Sequence, residues 1–565
     1  MTLDFRYRGQ LAPKYKSRYD RVVHRISQPF TCVIDAISKR QYGNMSWWVS
    51  SPASRNILLS PLFTYCSFLS LLHELVEDRI EITKILTDSR ALGKILSAYL
   101  EANNLCVEIC LYPRPKKRIR KRLCNVVRTP FHHLCLHIWI RWIRRFRGGR
   151  PKPGATLIDV FVVPNHVEDD RYYSGLMEEL TDAEWKNIWF VPCFSGFSRR
   201  QLYSAIPTLY ESSRNILLKE CYLHISDYVF AWYQTFRSRC IKVGEVSFLG
   251  FDITTLVHEE LGDGRGFPSA FTAMLNYRFP KRLRLAGIRP ECVINWFENQ
   301  CIDKGWNAGF RRFYPKIAVK GYQGFVIPGN YIWLSPSCEE TTGGVIPRQI
   351  AVVGKGMIPI IKRFCSELNV NIGPALRYRQ VWKSRVQYPG YFFFTIVVPL
   401  HLVLGEIRRM LRMLIGVQSK LNDPRIRWWI KPHPGMSAEK VRRAIKEPWP
   451  GNFTFIDGDF RPWLEQSHLL ISNTSSTCLE SLAKGVPVVI LGNPTGVTFN
   501  PIPETVSEEI WRLCHSENDL MDAIKYFRRN YSSKRNQYEK IGLQIRAHYF
   551  EPVTPIAARR LISEY

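Results

Sequence analysis

No C-x-x-C pair occurs among the fifteen cysteines; the nearest approach, Cys106 and Cys110, falls by alternation within one strand rather than in a metal knuckle. A clustered zinc or iron–sulfur site is therefore not the first reading, and a reduced, cytosolic setting is the simpler expectation. The opening MTLDFRYRGQ has no apolar core of the signal-peptide kind, so secretion is not expected. Long hydrophobic runs are missing as well. Ile57 to Val76 and Tyr391 to Gly405 are interrupted by Pro and His, which leaves them too polar or too short to span a bilayer. Neither an internal repeat nor a low-complexity tract is present. Acidic residues are scarce, 49 against 79 Lys and Arg, and the net charge of +30 points to anionic partners: nucleic acid, lipid headgroups or sugar nucleotides.

What is there is a long chain, 565 residues at 45% apolar content, enough for two or more domains with real cores. Short β-rich runs followed by helical spacing recur, the pattern of parallel βαβ construction. Strands are expected at Met45–Ser50, Ile82–Leu86, Leu105–Tyr112, Leu157–Val163, Asn187–Val191, Cys292–Phe297 and Ile317–Lys320, together making one large sheet. A second, five-strand set is expected from YFFFTIVVP at Tyr391 through Arg425–Ile430, Phe453–Ile456, Leu469–Ser472 and Val486–Leu491. Gly321 to Pro374, rich in Gly, Pro and Ser, reads as the linker and cleft between them. The division is an extension over 1–43, a first Rossmann-like domain over 44–365, a second over 366–540, and a C-terminal helix over 541–565 that crosses back to the first.

One insertion, 113–153, breaks the pattern: from Arg114 to Lys152 it holds fourteen Lys and Arg and no Asp or Glu. Its aromatics interleave with arginines at helical spacing, so Trp139, Arg141, Trp142, Arg144 and Arg145 suit an anionic headgroup layer. A solvated basic insertion and a nucleic-acid surface are the alternatives. The charge is too concentrated, and stacking aromatics on strands too absent, for nucleic acid to be the expected partner.

The strongest chemical signal is in the second half. RWWIKPHP, FTFIDGD and LLISNTSSTCLESLAKGVPVVILGNP each end a strand in polar residues, where open parallel sheets bind ligands. Ser472, Thr474, Ser475, Ser476 and Thr477 form a hydroxyl-rich turn into a helix, read as a phosphate cradle. His433, held between two prolines, is placed to donate to the same phosphate and to stabilise a departing nucleotide; Lys431 adds a point charge, and Glu480 is placed to accept from ribose hydroxyls or a base edge. Helix capping by the same Ser, Thr and Glu residues is the plainer alternative. The Asp457-Gly458-Asp459 triplet is discounted as a metal site, and no metal or other cofactor is expected.

KPHP followed by SNTSSTCLESLAKGVPVV resembles the donor half of GT-B glycosyltransferases of bacterial surface polysaccharide synthesis, and is similar to bacterial sialyltransferases and Kdo transferases that use CMP-sugars. NMSWWVSSPASRN, TLIDVF, DDRYYSGL, INWFENQ, KGYQGF and GPALRY resemble surface carbohydrate biosynthesis proteins, so the likeness spans most of Ser46 to Pro501. It implies an α/β, GT-B fold, two Rossmann-like domains with parallel sheets facing across a cleft. It also implies transfer from a nucleotide-activated sugar to a lipid-linked glycan by a peripheral enzyme on the inner face of the cytoplasmic membrane. The acceptor base then comes from the first domain, with Glu298 of INWFENQ as first choice. Gln300 and Gln323 are candidate sugar contacts, Asp169 and Asp170 a second acidic candidate, and Ser50, Ser51 and Arg55 a cleft wall. The sialyltransferase pattern sets Gly after its acidic pair, whereas Arg171 follows here. A polyol-phosphate transferase of the teichoic-acid type, which also releases CMP, is the second enzyme reading; a nucleic-acid-binding protein is the remote one.

Overall fold

The computed structural model describes residues 1–112, 116–144, 149–164, 166–168, 170–383, 390 and 392–563, with side chains throughout that set except at 116–123, 144 and 383. Three short parallel strands, β1 (Thr2–Asp4), β2 (Lys84–Thr87) and β3 (Glu108–Leu111), form a small sheet of their own. A seven-stranded parallel sheet follows, built from β4 (Thr156–Val162), β5 (Ile188–Phe194) and β6 (Asn215–Ile216), then, past a two-stranded hairpin of β7 (Ser247–Phe248) and β8 (Phe251–Asp252), from β9 (Cys292–Trp296), β10 (Ala318–Gln323), β11 (Gln349–Val352) and β12 (Val370–Ile372). The second body is a six-stranded parallel sheet of β13 (Phe394–Pro399), β14 (Ile426–Lys431), β15 (Phe453–Phe455), β16 (Leu469–Ser472), β17 (Val488–Leu491) and β18 (Trp511–Cys514). Its central strands are apolar runs buried on both faces, as parallel sheets covered by helices require.

Both large sheets are doubly wound. The order β12-β11-β10-β9-β4-β5-β6 reverses direction between β4 and β9, and β15-β14-β13-β16-β17-β18 reverses between β13 and β16. Ligands of open parallel sheets bind outside the carboxyl ends of the strands at such a switch point. The fold is α/β with two Rossmann-like bodies, the GT-B arrangement. The bodies meet along those carboxyl ends: Asn330 Nδ2 donates to the Thr498 carbonyl at 2.8 Å, and Gly329 N to the Asn500 carbonyl at 3.1 Å.

Several expectations need correction. Met45–Trp48 is helical, because Asn44 caps it by accepting from Ser46 N at 3.1 Å and Trp47 and Trp48 are buried as anchors rather than alternating across a strand. The other strands expected in the first half as one sheet fall in two. The Gly321–Pro374 segment is not a linker: it contains β11 and β12, and a boundary at 365/366 falls before the last strand of the first sheet. The second sheet gains β18, too short at four residues to stand out by period. Cys338 and Cys365, expected as thiols, form a disulfide with their Cα atoms 5.0 Å apart.

The last described helix lies on the first body. A helix over Glu517–Tyr549 leaves the second sheet and a last one, Pro555–Ile562, lies against the first: Lys320 Nζ donates to the carbonyls of Arg560 (3.1 Å) and Ser563, and Arg559 pairs with Glu184 at 2.8 Å.

Candidate functional site

At the first switch point, β9 delivers the loop Phe297–Gln300. Asn299 takes a left-handed backbone (φ 52°) and is itself fully buried, which turns Glu298 to the partly exposed side. The loop is fastened from below. Asp303 accepts from the N–H groups of Glu298 and Gln300, both at 3.0 Å, and Asn299 Nδ2 donates to the Trp333 carbonyl at 2.8 Å and to Glu340. Trp296 Nε1 donates to Glu298 Oε1 at 2.9 Å, and Gln300 Nε2 donates to the other oxygen. Gln300 thus orients Glu298 and opens the helix Cys301–Phe313; as a sugar contact it is already engaged.

Glu340 is held between two cations, Arg55 at 2.6 Å and Lys304 at 2.7 Å, with all three side chains 2% exposed or less. Burial opposes its ionisation, yet Arg55 and Lys304 hold its carboxyl down at about 2. Arg55 is therefore a foundation of the Glu298 loop, not a cleft wall, because its guanidinium is committed to Glu340 and the Ser335 carbonyl. Ser50 and Ser51 are buried too and line a small internal cavity of about 20 Å³ with Thr235 and Ser238. Gln323 ends β10 fully buried, donating to the Leu334 carbonyl at 3.1 Å, so it does not reach the cleft. Asp170 Oδ1 accepts from the N–H groups of Tyr172 (2.8 Å) and Tyr173 (3.0 Å) and shapes a turn. Asp169 lies outside the described residues.

At the second switch point, β16 ends in buried Ser472, and Asn473 follows it with an Oδ1 that is buried without a hydrogen-bond partner among the described atoms. Thr474, Ser475, Ser476 and Thr477 are each partly exposed. The Ser475 hydroxyl receives both the Thr477 hydroxyl (2.7 Å) and its N–H (3.3 Å), so this pair caps the turn. The helix is only six residues, Thr477–Leu482, so its dipole is a minor part of any cradle. Ser476 instead bonds to Glu480 and to Tyr378, a residue of the other body, and burial pushes the Glu480 carboxyl up while Arg377 pulls it down.

His433 follows β14. Its Nδ1 accepts from Gly435 N at 3.1 Å, so the neutral ring carries its proton on Nε2. Burial lowers its pKa, reinforced by repulsion from Arg171 and His401. Lys431 is spoken for: its Nζ donates to the Gly458 carbonyl at 2.8 Å and faces Asp457 at 3.5 Å. With Asp459 tied to Arg461, the Asp-x-Asp triplet is a self-contained loop, and among the described residues no cluster of three potential metal ligands occurs.

The feature that sequence reasoning missed is cationic. Arg171, on the loop after β4, is depressed in pKa by burial and by Arg377, which follows β12; Arg171 in turn acts on His433 from across the cleft. The Arg377 guanidinium lies 5.9 Å from the centre of the Tyr172 ring, and Tyr172 neighbours Glu298. Neither guanidinium forms an ion pair among the described residues. Pairwise interactions link these residues: Tyr172 feels Glu298, Arg171 and Arg377, Arg377 acts on Glu480, Tyr378 joins Arg377 to Ser476, and Arg171 acts on His433. DDRYYSGL and GPALRY carried the signal, but as family likeness only; the acids beside Arg171 drew the chemical reading.

On the basic insertion, Lys116–Arg144 is a single helix. Trp139 is half-buried, stacked on Trp142 at 5.2 Å and edge-on to Tyr203 at 5.4 Å, while Arg141 and Trp142 are exposed. Arg145 and the Arg144 side chain lie outside the described residues. No described helix is long and apolar enough to cross a membrane.

No protein-family model matches the sequence, and neither does any curated protein. Solved structures are similar at low identity. A co-structure of Staphylococcus aureus MnaA with UDP is 10% identical, covering 72% of this chain and 95% of its own, with a TM-score of 0.41. A UDP-N-acetylglucosamine 2-epimerase structure from Listeria monocytogenes is 12% identical over 73% and 95%, at 0.42. The structure of MurG from Acinetobacter baumannii is 10% identical over 72% and 99%, at 0.37.

Proposed function

We propose that this chain is a glycosyltransferase of the two-Rossmann-body kind that moves a sugar from a nucleotide donor to a lipid-linked glycan at a membrane surface, without a metal. The observation that supports this reading is that Arg171, after β4, lies within electrostatic reach both of Arg377, after β12, and of His433, after β14 in the other body. Three donors, of which Arg377 also acts on the Glu480 carboxyl and none forms an ion pair among the described residues, favour a phosphate, and Ser476 with Glu480 completes the nucleotide side. Glu298, held at both oxygens on the opposite body, is the base. The acceptor hydroxyl passes its proton to Glu298 as its oxygen attacks the anomeric carbon. The bond from that carbon to the phosphate oxygen breaks, and the nucleotide leaves with the electron pair into the Arg171, Arg377 and His433 donors.

The donor proposed is a CMP-activated acidic sugar of the Kdo or nonulosonic type, and the acceptor a surface-glycan precursor at the inner face of the cytoplasmic membrane, where Trp139, Arg141 and Trp142 meet anionic lipid. Thermal shift with CMP, UDP, GDP and TDP tests the donor: the bound nucleotide raises Tm by mass action, and a response to UDP with none to CMP overturns the CMP assignment. Undiminished transfer in EDTA is expected; its loss overturns the metal-free reading.

A further inference from the structure

The helix Ile225–Arg237 has one face in the core, through Asp227, Tyr228, Ala231 and Thr235. Its other face is apolar and uncovered: Ile225, Val229, Trp232, Tyr233 and Phe236 recur at intervals of four, three, one and three, a single stripe, and stand 40–65% exposed. A soluble helix normally points such a stripe inward. Beside it lies the basic helix Lys116–Arg144, joined where Trp232 Nε1 donates to the Val126 carbonyl at 3.3 Å and where His137 meets Tyr228 edge-on at 5.2 Å. That helix has its own exposed row, with Val127 74%, Phe131 57% and Trp142 52% exposed.

The exposed charges described on these two helices are of one sign. Arg128, Arg141 and Arg237 are exposed, whereas the basic helix has no acid. The single carboxylate of the neighbouring helix, Asp227, is fully buried between Arg278 (2.7 Å) and Arg282 (2.6 Å) and offers the surface no negative charge. An exposed apolar stripe flanked by arginines without carboxylates matches the interfacial layer of an anionic bilayer, with apolar side chains below the headgroups and guanidinium groups among the phosphates. We propose that Ile225–Arg237 is a second, apolar element of a two-helix membrane-docking face, inserting Val229, Tyr233 and Phe236 while the adjoining basic helix supplies the electrostatic attraction. This rests on the membrane-surface reading above and adds the residues that enter the lipid.

Vesicles of phosphatidylglycerol and phosphatidylcholine test it on the full chain by co-sedimentation. The triple variant V229S/Y233S/F236S is expected to bind about ten-fold more weakly or worse, with Tm and nucleotide binding unchanged, since these side chains are outside the core. Binding equal to the wild type overturns the inference. If R128S/R141S alone then releases the protein, the membrane reading survives and only the apolar insertion fails; a wild-type chain that ignores these vesicles overturns both. Light scattering guards against the other occupant: a wild-type dimer that the triple variant converts to monomer assigns the stripe to a second copy and overturns the proposal.

Discussion

The Arg377 guanidinium sits over the Tyr172 ring, 5.9 Å from its centre, so a residue that follows the last strand of the first sheet is brought beside the loop that follows β4. Chain segments some two hundred residues apart in sequence thereby supply the two guanidinium groups proposed to hold the donor phosphate. Replacing Arg377 or Arg171 by Ala is expected to weaken binding of the donor nucleotide by about 10- to 100-fold, the worth of a charge-assisted hydrogen bond. Calorimetric titration reads the change, and an unchanged affinity in both variants argues against the phosphate assignment.

Glu298→Gln keeps the hydrogen-bond geometry but removes the proton acceptor. The expected outcome is a drop in kcat of about a hundred- to ten-thousand-fold with nucleotide affinity intact. His433→Ala should also depress kcat, by about a hundred- to a thousand-fold, through loss of a donor to the departing phosphate. Because burial and cationic neighbours lower its pKa, His433 keeps its neutral, Nε2-protonated form as pH falls below the ordinary histidine value. Activity that declines with an ordinary, unshifted histidine midpoint attributable to His433 would count against this environment.

Glu340→Gln leaves the Arg55 and Lys304 charges buried without their anion. A loss of about 3–5 kcal/mol is expected in urea denaturation, far more than any surface pair would give. The native carboxyl is held at about 2, below its usual 4.5, so this contribution is complete above the ordinary carboxylate pKa and disappears as pH falls toward 2. Because Glu340 holds Asn299 and hence the Glu298 loop, the variant should also lose transfer activity at temperatures where it is still folded.

His468 offers a separate pH handle. Burial lowers its pKa to about 4, and its Nδ1 accepts from Thr395 N at 3.1 Å, so the native state keeps the ring neutral while the unfolded chain protonates near 6.5. Stability from this group is complete above pH 6.5 and falls as the pH drops toward 4, by up to about 1.4 kcal/mol per unit. Tm measured across that range should fall less steeply in His468→Gln; equal slopes would remove His468 from the account.

The apolar strands of the second body were legible because parallel strands covered on both faces are continuous hydrophobic runs: Leu469–Ser472 coincides residue for residue with β16. Short or polar elements were not. WRLC of β18 has no period to read, and β11 and β12 sit in a Gly- and Pro-rich stretch that resembles a linker. Glu298, Ser476, Glu480 and His433 could be named as candidates because each follows a readable strand end. Arg55 was misread because burial and an ion pair with a residue 285 positions away leave no local trace. Arg171 and Arg377 escaped for the same reason: what makes them a pair is the strand order, which a single sequence does not display.

The return of the chain to the first body through Arg559, Arg560 and Ser563 has a mechanical consequence. Polypeptide passes between the bodies twice, once after β12 and again beyond Tyr549, whose backbone lies against Gly354. Two covalent crossings tie the bodies at two points, so the second body is held to the first by more than one stretch of chain, and cutting the chain after Phe550 would leave it tethered through a single connection.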